Sequence, residues 1–363
     1  ESHESCKGYS KKEVPKASVK KSHESWKWEQ VSKMHEGKCK NLIEYGRKCP
    51  GEVTEIRGVR FCMTEEFLIG KGGQSDGVFV GLGTDGSEKA VKVFFKSTHG
   101  RVAEKEKELF MKYETKNLTH AVRCWFFDDT CLSSFAFLIM DLCEETLESF
   151  VHHNSPDDLV KLAPDIIQQI LKGLADLHRP PNSILHRDIK PSNILRNVHD
   201  KWLLADFGIA RVLSDGRSTL HSGEKGTEKW RAVESCCKSK NSDDLVESCS
   251  ESGTSGNNNV RYKKKSDIQV TAMVAFYILT KGEHPFGDEQ QILTNLLEGN
   301  PVNLFMLDDR PVAKDLISSM LNHDPQDRPS AEEALKHPYL KKSIKRSHES
   351  WKWENVSKTH KEM

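Results

Sequence analysis

The sequence His186-Arg187-Asp188-Ile189-Lys190-Pro191-Ser192-Asn193 is followed, after the apolar residues 202–205, by Asp206-Phe207-Gly208. This order sets a carboxylate, a lysine, an amide and a second carboxylate at fixed spacing. Transfer of a phosphoryl group needs a carboxylate near the accepting hydroxyl and oxygen ligands that hold Mg²⁺ across the phosphates. Asp188, Asn193 and Asp206 are the candidates for those roles. Residues 202–205 predict a buried strand that carries Asp206 to a cleft.

With these motifs in this order, residues 61–340 or so resemble the eukaryotic-type protein kinases. The resemblance implies an α+β, two-lobed fold, with a small β-rich N-lobe that has one main helix and a larger, mostly helical C-lobe. It also implies ATP and Mg²⁺ as cofactors and a protein as the substrate. A lysine at position 190 points to serine or threonine as the phosphate acceptor.

Roles within this segment follow from the resemblance. Asp188 would accept the proton of the substrate hydroxyl or orient that hydroxyl, and Lys190 would steady the charge of the transferring phosphoryl group. Asn193 and Asp206 would each supply oxygen to a metal ion. Arg187 would pair with a phosphate added to the activation segment. The alternative is a pseudokinase, which keeps these residues without transferring phosphate.

Residues 69–78 resemble the glycine-rich loop that folds over the ATP phosphates. Gly70 and Gly72 stand at its first two glycines, Ser75 replaces the third, and Val78 follows as a nucleotide contact. Taken alone, such a turn is more often an ordinary hairpin, and only the downstream motifs favour the nucleotide loop.

Lys92 lies in a predicted strand, residues 90–93, where the kinase lysine reaches the α- and β-phosphates. Its partner should be a glutamate on the next helix. Glu106 is favoured, because apolar residues three and four positions on share its inward side. Glu108 is the alternative, and Glu104 is expected at the surface.

The adenine site is assigned by the same resemblance. Met140 would be the gatekeeper behind the adenine, Ala90 would line the site, and the backbone of Asp141 and Cys143 would bond the adenine edge. Plain core packing also explains Met140 and Cys143.

The segment that closes the activation loop is expected at residues 226–234. Val233 replaces the usual proline, and Glu234 should form a buried ion pair with Arg328.

A central buried helix is expected at residues 270–279, anchored by Asp267, with Ala272 where kinases usually have glycine. Ser214, Ser218, Thr219 and Ser222 are candidate phosphoacceptors, or ordinary loop residues.

A closer resemblance comes from residues 226–230, 277–287 and 323–338. They are similar to the kinase domains of the inositol-requiring kinase/endoribonuclease, a sensor of unfolded proteins, and of the 2-5A-dependent ribonuclease. After residue 338 the chain is too short for a ribonuclease domain, and its longest apolar run is too short for a membrane span. The resemblance allows a homodimer that phosphorylates itself in trans. It leaves a nucleotide-gated scaffold, or a regulatory pseudokinase of such a pathway, as the alternative function. A weaker third hypothesis is an RNA-processing factor whose nuclease part is missing.

Composition limits the partners. Lys plus Arg and Asp plus Glu are both 54, so no basic field argues for nucleic acid. The 10 cysteines lack metal-ligand spacing, and no signal segment or membrane span is recognised. These features favour a cytoplasmic protein. The expected domains are an N-terminal flexible tail (1–56), a kinase domain (57–340) and a C-terminal tail (341–363). Within the kinase domain we expect an N-lobe (57–143), a C-lobe (144–340) and a flexible insertion (236–264).

Two copies of one motif flank the expected domain. Residues 22–33 read SHESWKWEQVSK and residues 347–358 read SHESWKWENVSK, and residues 2–5 repeat the start of the motif. The Trp-Lys-Trp core could form a short strand or a docking motif, because exposed tryptophans supply much contact energy. Duplicated coding sequence without a role explains the copies equally well.

Overall fold

The first part of the chain forms an antiparallel sheet. The computed structural model describes residues 26–72, 75–112, 119–180, 183–213, 219–222, 227–236 and 260–341. The strands of this sheet are β1 (Thr54–Ile56), β2 (Val59–Phe61), β3 (Leu68–Gly72), β4 (Ser75–Gly83), β5 (Glu88–Phe95), β6 (Cys124–Asp128) and β7 (Phe135–Asp141). They lie in the order β1-β2-β4-β5-β7-β6, with β3 paired to β4. The central strands are almost wholly buried, because apolar clusters pack on both faces of the sheet.

Two helices pack on this sheet, and one of them corrects an expectation. Helix α2 (Lys96–Lys112) is the expected N-lobe helix. Helix α1 (Glu36–Lys48) lies in the region where a flexible tail was expected. Its apolar residues Cys39, Leu42 and Ile43 recur at helical spacing and are buried against the sheet. The prediction of a tail over residues 1–56 is therefore wrong from residue 26 onward, because this segment has its own apolar stripe to bury.

The second part of the chain is mostly helical. Its helices are α3 (Leu147–His153), α4 (Pro156–His178), α5 (Lys264–Leu279), α6 (Ile292–Glu298), α7 (Pro311–Leu321), α8 (Ala331–Ala334) and α9 (Pro338–Lys341). Helix α5 is buried on all sides, which confirms the central helix expected there. One large apolar cluster joins α4, α5 and α7 and forms the core of this lobe.

Short strands precede α3 and lie between α4 and α5. These are β8 (Cys143–Thr146), β9 (Ile184–Leu185), β10 (Ile194–Asn197), β11 (Trp202–Leu204), β12 (Arg211–Val212), β13 (Thr219–Ser222) and β14 (Val260–Lys263). Strand β11 is the buried strand expected before Asp206. Strands β13 and β14 pair with each other, so residues 260–264, expected in a flexible insertion, instead belong to a strand and to the start of α5.

The α+β, two-lobed fold is confirmed. Several expectations concern positions outside the described residues: the motif copies at residues 2–5 and 347–358, Ser214, Ser218 and the rest of the insertion at 237–259. Within the part of the chain that the structure describes, every helix is too short or too polar to cross a membrane.

Candidate active site

Lys92 lies between two carboxylates in the cleft between the lobes. Its Nζ donates to Glu106 Oε1 at 2.6 Å and to Asp206 Oδ1 at 3.0 Å. Strand β5 carries Lys92 and helix α2 carries Glu106, and both side chains are buried. Glu104 and Glu108 are exposed on the same helix, so the structure brings Glu106 to the lysine and not the alternatives.

Lys92, Glu106 and Asp206 shift one another's pKa. Burial lowers the pKa of Lys92, but the two carboxylates outweigh it and hold that pKa above its usual value. Burial raises the pKa of Glu106 to about 7 against the effect of Lys92, and the charge of Asp206 adds to the rise. Burial also acts to raise the pKa of Asp206, yet the charge and hydrogen bond of Lys92 keep it below its usual value. Lys92 is therefore the cation that both carboxylates share.

A second cluster forms around Asp188. Lys190 Nζ donates to Asp188 Oδ2 at 3.0 Å, and Thr227 Oγ1 donates to Asp188 Oδ1 at 3.1 Å. Lys190 also donates to Thr227 Oγ1 at 2.7 Å, and Asn193 Nδ2 donates to Asp188 Oδ2 at 2.9 Å. The carboxylate of Asp188 is thus held by three side chains that arrive from two segments of the chain, and its position is fixed before any ligand enters.

The oxygen atoms near these clusters suit a magnesium ion. The amide nitrogen of Asn193 bonds Asp188, so its amide oxygen is the atom left to face a cation. Asp206 adds a carboxylate at the same cleft. Among the described residues, no cluster of three or more His, Cys, Asp or Glu side chains could hold a metal ion. Mg²⁺ commonly takes only one or two protein carboxylates and completes its shell with phosphates and water, so this sparse donor set fits it.

Asp267 holds the backbone of the segment that carries Asp188. Its carboxylate accepts the amides of His186 and Arg187, both at 3.0 Å, and lies 2.9 Å from His178 Nε2. Arg187 has a φ of 69°, a left-handed backbone that an ordinary residue adopts only under constraint. Burial acts to raise the pKa of Asp267, but these bonds and His178 hold it below its usual value. The strained turn is stabilised by a charged hydrogen-bond acceptor.

The cleft has a volume of about 510 Å³ and is lined by most of the residues that the sequence assigned to nucleotide binding. These are Gly70, Ser75, Val78, Ala90, Lys92, Met140, Asp141, Cys143, Asn193 and Asp206, and the expected partner of Lys92, Glu106, also lines the cleft. Gly72 is not among the lining residues. Asp188 and Lys190 lie outside the lining, but Asp188 accepts a hydrogen bond from the lining residue Asn193, and Lys190 in turn bonds Asp188.

The connector between the lobes has a partner that the sequence did not reveal. His35 Nε2 lies 3.0 Å from the carbonyl oxygen of Cys143, and both His35 and Met34 line the cleft. An adenine edge at this position would share that oxygen with His35. The amide of Asp141 donates to Arg123 O at 3.0 Å. Met140 lines the cleft and packs against three apolar clusters. Core packing of this residue is therefore confirmed, and its role as gatekeeper stays a prediction.

The expected ion pair at the end of the activation segment is confirmed. Arg328 donates to both carboxylate oxygens of Glu234, at 2.9 and 3.0 Å, and its side chain is fully buried. Arg187, expected to meet a phosphate, stacks its guanidinium 4.1 Å from the centre of the Tyr262 ring.

Thr227 and His35 are the site residues that sequence reasoning missed. Thr227 was noted only as part of the closing segment, and nothing in its neighbours marks it as a partner of Asp188. A signal for the N-terminal segment did exist: Cys39, Leu42 and Ile43 follow helical spacing and predict a helix directly after His35.

Comparison with known proteins agrees with the geometry. The family described as protein kinase domain matches residues 63–340. The chain is 33% identical over 287 residues to the human serine/threonine-protein kinase/endoribonuclease IRE2, covering 75% of this chain and 28% of the relative. It is 30% identical over 302 residues to ire-1 of Caenorhabditis elegans, with 80% and 28% covered. It is 28% identical over 303 residues to the probable serine/threonine-protein kinase irlD of Dictyostelium discoideum, with 77% and 18% covered.

The chain spans less than a third of the length of these relatives. The matched region nevertheless includes the ion pair of Lys92, the Asp188 cluster and the buried Glu234–Arg328 pair. This chain therefore belongs to the protein kinase family, and its kinase region is similar to those of the IRE-type serine/threonine kinases.

Proposed function

We propose that this protein is a serine/threonine protein kinase that uses ATP and Mg²⁺ to phosphorylate protein hydroxyls, including hydroxyls of its own activation segment. The observation that carries the proposal is the junction at Asp188, where Lys190 and Thr227 meet one carboxylate. A protein that only bound nucleotide would not need a base and a cation side by side at this position.

Each side chain has a task in the proposed reaction. Asp188 accepts the proton of the substrate hydroxyl, and Lys190, 3.0 Å away, offsets the charge that develops on the transferring group. Lys92 holds the nucleotide phosphates while Glu106 keeps the lysine in place. Asn193 and Asp206 would hold Mg²⁺, which supplies charge neutralisation at the phosphates. Thr227 positions Asp188, and this hydrogen bond forms only when the activation segment is in place.

Phosphorylation of the activation segment is proposed from its chemistry and from the kinase group. Thr219 and Ser222 lie in strand β13, which pairs with β14, and Ser214 and Ser218 precede them in the sequence. A homodimer that phosphorylates these hydroxyls in trans predicts a rate that rises with protein concentration. A rate independent of concentration would contradict the dimer but not the kinase.

The test compares phosphate incorporation from labelled ATP with Mg²⁺ in the unaltered chain and in Asp188→Asn. We expect the variant to lose about 100-fold or more of the activity, since a positioned base contributes at least that much, and to keep its nucleotide affinity. Asp200→Asn is the matched control, because Asp200 is exposed on the loop between β10 and β11. Mass spectrometry should place label within residues 214–222. Nucleotide binding without incorporation in the unaltered chain would refute transfer and favour a nucleotide-gated scaffold.

A further inference from the structure

Residues 26–35 lie across the N-lobe and end at the connector between the lobes. They bind two buried carboxylates, Glu88 on β5 and Glu144 on β8. We call this surface the docking site and define it by Glu88, Glu144 and Gly46 of helix α1. The segment that occupies it in the structure is the N-terminal copy of the repeated Trp-Lys-Trp motif.

The two carboxylates receive their hydrogen bonds from this segment. Glu88 accepts Trp28 Nε1 at 2.7 Å, and the amides of Val31 at 3.2 Å and Ser32 at 2.7 Å. Glu144 accepts Ser32 Oγ at 3.1 Å, and the amides of Lys33 at 3.0 Å and Met34 at 2.7 Å. A buried carboxylate that lost such donors would bear a large desolvation cost. The folded protein is therefore more stable when a segment occupies the docking site.

Trp26 has its own place in the docking site. A methyl group added to Gly46 would lie 2.2 Å from Trp26 Cζ2, so the ring rests directly on the glycine backbone. The guanidinium of Arg60 lies 5.2 Å from the centre of the same ring. The site thus selects for a tryptophan two residues before the one that bonds Glu88.

The C-terminal copy of the motif preserves these features. Residues 347–361 differ from residues 22–36 only at Gln30, Met34 and Glu36, which become asparagine, threonine and lysine. The counterparts of both tryptophans, of Ser32 and of His35 are present as Trp351, Trp353, Ser357 and His360. Met34 contributes its backbone amide to Glu144, while its side chain is 56% exposed, so threonine can replace it.

The change at Gln30 favours binding by the second copy. Gln30 has a φ of 55° in the docked segment, which is left-handed backbone. Asparagine enters that region more readily than glutamine does. We infer that residues 347–361 are an alternative occupant of the docking site and exchange there with residues 26–35.

The first test is a stability comparison in the full chain. Trp26→Ala/Trp28→Ala empties the site of its N-terminal occupant, and Trp351→Ala/Trp353→Ala disables the C-terminal copy. We expect the C-terminal pair of changes to leave Tm unaltered when residues 22–36 are intact. The same pair should lower Tm by several degrees when the N-terminal tryptophans are absent, because ligand binding stabilises the folded state.

Each outcome of this comparison either supports or overturns the inference. Additive effects overturn the inference, and so does failure of Trp26→Ala/Trp28→Ala to fold with its C-terminal copy intact. A quadruple variant that unfolds while Trp26→Ala/Trp28→Ala stays folded supports the inference. Sedimentation of Trp26→Ala/Trp28→Ala then tells which chain supplies the segment. Association that grows with concentration indicates a second copy of the chain, and a monomer indicates the same chain.

The second test measures binding directly, by fluorescence anisotropy of a labelled synthetic peptide of residues 345–361. The receptor is the quadruple variant, in which both resident copies are disabled; if that variant unfolds, the first test has already given the answer. We expect saturable binding that an added Gly46→Ala weakens at least tenfold. Gly37→Ala is the matched control on the same helix, because a methyl group there meets no atom within 4 Å. Equal binding of a peptide with both tryptophans changed to alanine, or no binding to a folded receptor, overturns the inference.

Discussion

Val233 shows how one residue departs from the kinase pattern without loss of structure. Its backbone amide donates to Gln269 Oε1 at 2.9 Å, and Gln269 Nε2 donates to Leu321 O at 3.0 Å. The usual proline has no such amide. Valine therefore gains a buried hydrogen bond that ties the end of the activation segment to α5. Ala272, another departure, is fully buried in α5, and Asp267 still reaches the segment that carries Asp188.

A single buried histidine should make the protein sensitive to acid. His284 lies between the rings of Trp230 and Phe286, 5.3 and 6.0 Å away, and burial lowers its pKa to about 4. Between pH 6.5, the ordinary pKa of histidine, and pH 4, His284 is protonated in the unfolded chain but neutral in the folded protein. The contribution of His284 to stability is therefore complete above pH 6.5 and is lost as the pH drops towards 4, by up to about 3 kcal/mol.

Urea unfolding at a series of pH values between 7.5 and 4.5 checks this dependence. His284→Gln should flatten the loss of stability in acid, because its side chain does not titrate. His199→Gln, which changes an exposed histidine, is the matched control. An equal slope in the His284 variant would show that other groups cause the acid sensitivity.

Helix packing depends on where a glycine leaves space for a neighbouring element. Gly173 lies in α4, where an added methyl group would come 2.9 Å from Leu204 Cδ1 and 3.1 Å from the backbone oxygen of His120. Gly100 lies in α2, where the same group would meet only Lys96 Cβ, at 3.9 Å. Helix α4 can thus approach β11 only because residue 173 has no side chain.

The two glycines therefore predict opposite effects of one substitution. Gly100→Ala should stabilise the protein by about 0.5–1 kcal/mol, because alanine loses less backbone freedom in a helix. Gly173→Ala should destabilise it by about 1–3 kcal/mol, because backbone must move to admit the methyl group. Denaturant unfolding of both variants measures the difference. Stabilisation by both would mean that α4 moves away from β11 at no cost.

At the scale of the whole molecule, Arg328 joins parts of the chain that are far apart in sequence. Besides Glu234, it donates to the carbonyl oxygens of Asn322 at 2.6 Å, His323 at 2.9 Å and Lys265 at 3.0 Å. The end of the activation segment, the start of α5 and the loop before α8 thus meet at one buried guanidinium.

Removal of one partner of this pair should be costly. Arg328→Met leaves Glu234 buried without its main partner, and we expect a loss of about 3–5 kcal/mol in the free energy of unfolding. Arg179→Met is the control, because Arg179 is 62% exposed and its ion pairs are long. It should change stability by less than about 0.5 kcal/mol. Similar small losses in both variants would show that water enters and solvates Glu234.

Much of the active site follows from local sequence. Asp188, Lys190 and Asn193 lie within one short segment, and their chemistry requires those residue types at that spacing. The Glu106 assignment came from helical periodicity, and the buried strand before Asp206 from a short apolar run, since both patterns repeat over a few residues. The two-lobed fold is what the resemblance to the protein kinases implies, and that resemblance rests on the order of these motifs along the chain.

The docking of residues 26–35 could not be predicted in this way. Its donors to Glu88 and Glu144 are mostly backbone amides, which every residue except proline carries and which leave no mark in the sequence. Thr227 reaches Asp188 across 39 positions of the chain, and His35 reaches Cys143 across 108. Such contacts depend on where the packed sheet and helices bring distant segments together, and so they exist only once the chain has folded.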